Sequence, residues 1–225
     1  MASVLERHGR VDAVWANAGI ASIGPVALTD PRAWARTVEV NLLGAYYTVR
    51  AALPAVISAQ GYVAVTSSLA AFAHAPQMSA YCATKAGVEA MCDSLRVEVA
   101  HHGVDVASIH PGWIDTDMVR EGDESMRAFQ VLRASMAPPL NKTYPVSRAA
   151  RDIARGFERR RRRICTPWYV QAGHAVRPLL STRVLARDQY RVAPEMEEAF
   201  RAQSSEQGSA GASMSARVTG LFGGR

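Results

Sequence analysis

Two kinds of apolar pattern run along the chain, short continuous runs and longer stretches with helical spacing. Residues 2–8 read as the end of a helix that Gly9 stops. Val11 to Ala16 is a short β-type run, closed by Asn17-Ala18-Gly19. Thr29-Asp30-Pro31 marks a helix start, with Asp30 as N-cap and Pro31 at the first helical position. Trp34, Val38, Leu42, Tyr46, Val49 and Leu53 then recur at helical spacing, which predicts one helix over 31–58. Gly61 opens a second strand, Tyr62 to Thr66, ending at Ser67-Ser68. A second long helix is predicted from Ser79 to Ala100, terminated by Gly103. Val104 to Ile109 is a third strand that runs into Pro111-Gly112. A polar, methionine-bearing loop is expected over 113–140, a helix over 147–159, and a last short strand at Ile164-Cys165-Thr166.

Strands separated by helix-length crossovers make a parallel sheet flanked by helices, an α/β fold. With 225 residues, 48% of them hydrophobic, the chain can build one sizeable core. From about residue 204 the Ser/Gly/Ala-rich composition predicts a mobile tail. No window approaches the ~18–20 uninterrupted apolar residues of a membrane span. The opening residues MASVLERHGR carry charge where a secretory signal is apolar, so a cytoplasmic protein is expected. Cys82, Cys92 and Cys165 are odd in number and widely spaced, which suits reduced thiols acting as small apolar residues. His101-His102 falls at a helix end, where imidazole caps carbonyls, and no cluster beside it completes a zinc site.

The net charge of +6 changes the picture in one place. Lys occurs only at 85 and 142, against 24 Arg, and five of those form the run Arg159 to Arg163. That run reads either as a solvated helix end or as a surface for weak contact with anionic lipid. No aromatic stacking set accompanies it, so no nucleic-acid partner is expected.

Candidate chemistry centres on Tyr81-Cys82-Ala83-Thr84-Lys85. On a helix, residues four apart share a face, so phenol and ammonium point the same way. An unperturbed tyrosine, with a pKa of about 10, is a poor base at neutral pH, and a fixed cation beside it favours the phenolate. A Tyr/Lys pair at this spacing is often an ordinary helix pair. In a chain that otherwise uses Arg, a lysine at this position is notable, because guanidinium does not mimic a compact ammonium. Ser68, at the carboxyl end of a strand, could hold a substrate oxygen, or serve as a turn or cap. Asn17-Ala18-Gly19 and Pro111-Gly112-Trp113-Ile114-Asp115-Thr116 also follow strands, and Asn41 interrupts an apolar helix segment. Each has an easy reading as turn or cap chemistry. The strand-end features share one sheet edge, where open α/β sheets bind ligands.

In order, spacing and identity these motifs resemble the short-chain dehydrogenase/reductases, over roughly residues 2–170, with 171–225 as a C-terminal extension. The resemblance implies a Rossmann-like, doubly wound parallel sheet, incomplete here, and an NAD- or NADP-dependent oxidoreductase that interconverts an alcohol and a carbonyl compound. It implies Tyr81 as acid/base and Ser68 as the group orienting the substrate oxygen. Lys85 would bind the nicotinamide ribose and lower the Tyr81 pKa, and Asn41 would hold a relay water. Asn17, Ala18 and Gly19 would line the adenosine side. Pro111 and Gly112 would shape the loop whose Ile114 and Thr116 meet the carboxamide.

One departure is large. The family's opening strand, its Thr-Gly-x-x-x-Gly-x-Gly turn and two further strands are not in these 225 residues, and Gly19 to Gly24 has the wrong spacing to substitute. Residues 1–225 are therefore expected to bind cofactor poorly and to leave the strand at 11–16 as an exposed edge. An alternative is a non-catalytic interaction protein that reuses the family's helical dimer surface. The 113–140 segment, which covers the substrate in the family, carries Trp113, Met118, Phe129 and Met136. These read either as walls for a bulky apolar alcohol or ketone or as ordinary lid packing. A second copy is expected as partner in a homodimer or homotetramer built on 31–58 and 79–101.

Overall fold

The structure is a computed structural model, and it describes residues 1–207. Residues 208–225, where most of the expected tail falls, lie outside the described residues. In chain order, α1 (Ala2–His8) precedes β1 (Ala13–Ala16), and the long helical stretch follows as α2 (Pro31–Val38), a π-helical turn (Glu39–Leu43) and α3 (Gly44–Ser58). Next come β2 (Tyr62–Thr66), α4 (Ser79–Glu98) and β3 (Asp105–Pro111). Then α5 (Asp117–Ser125), α6 (Arg127–Ser135) and α7 (Val146–Glu158) lead to β4 (Arg163–Thr166). Three helices close the described chain, α8 (Trp168–Ala175), α9 (Arg177–Leu180) and α10 (Arg187–Gln207).

The four strands form one parallel sheet in the order β1-β2-β3-β4. Alternate residues of β2 feed two cores, as the strand period of two requires. Val63 and Val65 pack with Val49, Val56, Val88 and Leu95 from α3 and α4 on one face. Tyr62 and Ala64 pack with Ile164, Ile153 and Phe157 under α7 on the other. Helices on both faces of a parallel sheet give the doubly wound arrangement.

Strand β1 is shorter than the 11–16 run and lies at the edge of the sheet. It is not buried between helix layers: Val14 and Ala16 face the α3 core, while Ala13 and Trp15 are exposed. Trp15 meets Phe157 edge-on at 5.7 Å and donates from its indole to Thr66 Oγ1 at 2.8 Å.

The helical stretch 31–58 buries a row that only partly matches the expected apolar one. Thr37, Asn41, Ala45, Val49, Ala52 and Val56 point inward, whereas Trp34 and Tyr46 are exposed with Leu43 and Tyr47. Small residues let the helix sit close to its neighbours, and of the expected apolar row Val49 is buried while Leu42 and Leu53 pack partly against the core. By length and hydropathy alone this stretch could cross a membrane. Its inward row is packed in the core.

Residues 113–140 are not a loop. They form α5 and α6, and α10 lies along α6 in a separate apolar cluster. Phe129, Leu132, Met196, Val192 and Phe200 belong to it, so the C-terminal segment shares a core with Met78 and Cys82 at the start of α4. The arginine run is partly consumed internally: Arg160 pairs with Asp105 at 2.7 Å and Arg163 approaches Glu89 at 3.5 Å. Arg159, Arg161 and Arg162 remain exposed.

Gly61 is where α3 hands over to β2. A Cβ there would sit 2.4 Å from the Asp12 carbonyl oxygen and 3.0 Å from Val56. The same carbonyl accepts the Tyr62 N–H at 2.9 Å, so it cannot retreat without loss. Gly61→Ala is expected to cost about 1–3 kcal/mol by overpacking. Urea denaturation should show a lower midpoint at unchanged slope, and an unchanged midpoint would contradict the packing.

Candidate active site

The carboxyl edge of the sheet assembles the site from four chain segments. At the end of β2 the Thr66 carbonyl accepts the Lys85 ammonium at 2.8 Å. Ser67 is fully buried and its hydroxyl donates to the Lys85 carbonyl at 2.8 Å, which ties the strand end to α4. Ser68 caps the following short turn, its Oγ accepting from Ala70 N at 3.1 Å. Tyr81 and Lys85 lie one turn apart on α4, with Lys85 Nζ 5.5 Å from the centre of the tyrosine ring.

Lys85 is 2% exposed, and burial brings its amine down to about 8. Among the described residues its hydrogen-bond partner is Thr66, which leaves two of three N–H groups for a ligand. Burial raises the Tyr81 phenol above its ordinary value, and the Ser68 hydroxyl beside it pulls the other way. The hydroxyl of Ser68 is the group that favours the phenolate, and burial outweighs it.

Asn41 sits in the middle of the π-helical turn, and its amide is fully engaged. Its Oδ1 accepts Ile20 N at 2.8 Å, while Nδ2 donates to Ile20 O at 2.8 Å and to Thr84 Oγ1 at 3.2 Å. The side chain therefore clamps the segment after β1 onto α4, and π-helical turns recur at functional sites. Gly19 lies in that clamp: a Cβ there would be 3.3 Å from Asn41 Oδ1 and 3.4 Å from Lys85 Nζ. Asn17 accepts the Thr66 hydroxyl at 2.8 Å, and Ala18 is exposed at the same edge.

Beyond β3, Pro111 and Gly112 turn the chain beneath α8. Gly112 N donates to Thr166 O at 2.8 Å, and a Cβ on Gly112 would press on Tyr169 and Val170 at 3.2 Å. Ile114 is buried in a bridge to Tyr144, and Thr116 stands as N-cap of α5. Ser68, Tyr81 and Gly112 all line one cavity of about 490 Å³, whose walls include Met78, Trp113, Met118, Leu132 and Leu140. Leu180, Leu185 and Gln189 close it from the C-terminal side. No sequence signal pointed to that closure, because 171–207 has no motif. Among the described residues no cluster of His, Cys, Asp and Glu could hold a metal ion, and the three cysteines are free thiols.

A polar cluster lies behind the site. Glu89 is 3% exposed and meets His174 and Arg177 at 2.9 Å each. Burial alone would raise its carboxyl; the His174 hydrogen bond, then His110 and Arg177, hold it below the ordinary value. Burial also lowers His110, against the Ser68 carbonyl and Glu89, with Arg163 and His174 adding to the lowering. Below its ordinary 6.5 the unfolded chain takes up a proton that the folded one refuses. Stability is therefore lost as pH falls from 6.5 toward the lower folded value. Melting temperature should drop over that window, and His110→Asn should flatten the curve. Equal pH dependence in both proteins would contradict a buried neutral ring.

A family model described as short chain dehydrogenase matches residues 1–127. The chain is 37% identical over 143 residues to a (-)-trans-carveol dehydrogenase of Rhodococcus erythropolis, covering 62% of this chain and 50% of that protein. It is 38% identical over 122 residues to an uncharacterized NAD-dependent oxidoreductase of Mycobacterium tuberculosis, covering 53% and 44%. Among solved structures, the crystal structure of gox2181 superposes with a TM-score of 0.66 at 25% identity, covering 78% of this chain and 69% of that one. The chain spans about half the length of the curated relatives it matches.

Proposed function

The chain belongs to the short-chain dehydrogenases, and on that basis we propose that it serves an NAD- or NADP-dependent interconversion of an alcohol and a ketone or aldehyde. The observation that carries this reading is the meeting of the Ser68 and Tyr81 hydroxyls on one apolar cavity, with the Lys85 ammonium one helical turn away. The residues present fit the nicotinamide end of the cofactor. Lys85 keeps two N–H groups, Gly19 leaves room beside them, and Ile114 and Thr116 lie on the loop after β3. Residues 1–225 contain no Thr-Gly-x-x-x-Gly-x-Gly turn to cradle a pyrophosphate, so their own affinity is expected to be weak.

When bound, the nicotinamide supplies or accepts the hydride. Ser68 holds the substrate oxygen, and Tyr81 exchanges a proton with it. The raised phenol is protonated at neutral pH, which is the form that donates to a carbonyl oxygen as carbon takes up hydride. In the reverse direction the same oxygen must receive the alcohol proton. Lys85 would hold the ribose, and Asn41, bonded to Ile20 and Thr84, keeps the segment after β1 beside α4.

The cavity walls favour a bulky apolar substrate, and a relative named for carveol is consistent with that. A panel of ketones assayed with NADH and NADPH in large excess tests this. Faster turnover of bulky apolar ketones than of small polar ones is expected, and the opposite ranking would overturn the substrate class. We also propose self-association through the helices at 31–58 and 79–101, where Leu43, Tyr46, Tyr47 and Val97 are each exposed. Light scattering should show a dimer or tetramer at micromolar concentration, and monomer alone would contradict it.

A further inference from the structure

His110 touches nothing that reacts, yet both of its ring nitrogens are committed beside the site. It is fully buried on β3, one residue before Pro111. Nδ1 lies 3.1 Å from the Ser68 carbonyl oxygen and Nε2 lies 2.9 Å from the Ser108 hydroxyl. A carbonyl oxygen only accepts, so Nδ1 must carry the proton. In the neutral ring Nε2 then accepts, and the Ser108 hydroxyl donates to it. One tautomer satisfies every group. The rings of Phe72 and His174, with centres at 5.7 and 5.8 Å, hold the imidazole plane.

The Ser68 end of this contact bears directly on the site. Its neighbour Ser67 is fixed on β3 and α4, its N–H donating to Ile109 O at 2.7 Å and its hydroxyl to Lys85 O. Ser68 itself is extended, at φ −168° and ψ 163°. Its carbonyl accepts Ala71 N at 3.1 Å from its own turn and His110 from across the sheet. His110 is thus the long-range hold on Ser68 from β3. An apolar residue would fill a buried strand position at no desolvation cost, whereas a buried imidazole is unfavourable unless its partners are met. Ser108, buried on the same face of β3, is one such partner.

We propose, resting on the functional reading above, that His110 is a positioning residue whose Nδ1–H fixes the Ser68 carbonyl and so aims the hydroxyl that orients the substrate oxygen. Asn at 110 places an amide donor near the Nδ1 position, and Gln places one near Nε2. His110→Asn should therefore keep the Ser68 contact, and His110→Gln should lose it.

Two measurements decide the matter. Nitrogen-15 spectra of the wild-type histidines should show His110 neutral and protonated at Nδ1; a proton at Nε2 overturns the proposal, whether or not any variant folds. The carbonyl-carbon signal of Ser68 should be preserved in His110→Asn and displaced in His110→Gln. In turnover, His110→Asn should stay close to wild type, and His110→Gln should lose roughly tenfold in kcat at unchanged KM, short of the ~10²-fold that a 1 Å misplacement can cost. Equal Ser68 signals in the two variants, or equal kcat, overturn the proposal. A wild type that transfers no hydride fails the functional reading instead, and the two spectral signals then decide the positioning role alone.

Discussion

Tyr81→Phe is expected to remove most hydride transfer while leaving the fold intact. The phenol is the one proton donor on α4 that lines the cavity beside Ser68. Phenylalanine keeps the ring, its packing with Met78 and Cys82, and its place one turn before Lys85. Only the exchangeable proton is lost. A positioned acid–base group typically contributes about 10²–10⁴ in rate, so kcat should fall by that factor at nearly unchanged melting temperature. Turnover like wild type would remove Tyr81 from the chemistry. Lys85→Arg should also be damaging, although charge is conserved. The ammonium is 2% exposed and donates to Thr66 O at 2.8 Å, a compact geometry that a planar guanidinium on a longer stem does not reproduce.

Phe129→Ala carries the second large effect, on stability. Phe129 is fully buried on α6 and meets Trp113 edge-on at 5.3 Å. It shares its cluster with Leu132 and Met196, so the cavity left behind would be bounded by α6, α10 and the loop after β3. Such truncations cost about 3–5 kcal/mol where the surroundings cannot collapse. Denaturant titration should show that loss, and Trp113 fluorescence should report on the same transition. A loss under about 1 kcal/mol, the scale of an ordinary surface or partly buried change, would mean that α6 and α10 do not form a core with the cavity wall.

The same cluster shows where reading the chain alone reached its limit. Phe129, Leu132 and Met136 stand at helical spacing within the segment expected to be a loop. Glycine, charge and short helix length around them hid the period. The helix α10 was hidden by Pro194 and by the Ser/Gly/Ala composition that begins inside its last turn. Strand β2 was legible to the residue, since Gly61 and Ser67 bound an uninterrupted apolar run. The helix expected over 31–58 ends at Ser58 as read, while the one expected to reach Ala100 stops at Glu98 and passes into a 3₁₀ turn before Gly103. The π-helical turn at Asn41 left no trace, because a wider turn changes which row is buried without changing the local composition.

The site was legible unevenly for the same reason. Ser68, Tyr81 and Lys85 come together because β2 and α4 follow each other in sequence and the end of β2 is bonded to α4. The clamping role of Asn41 depends on Ile20 and Thr84, which no spacing rule connects. His110 fell beyond the strand expected over Val104 to Ile109, and its partner Ser68 lies 42 residues away.

The most direct test follows deuterium from cofactor to product. The chain is incubated with nicotinamide dinucleotide deuterated at the transferring position and a bulky apolar ketone, with cofactor in large excess. Mass and NMR analysis should find deuterium on the carbinol carbon of the alcohol formed, at a rate that Tyr81→Phe all but abolishes. Alcohol without deuterium at that carbon, no alcohol at all, or equal transfer by wild type and Tyr81→Phe would contradict the assignment.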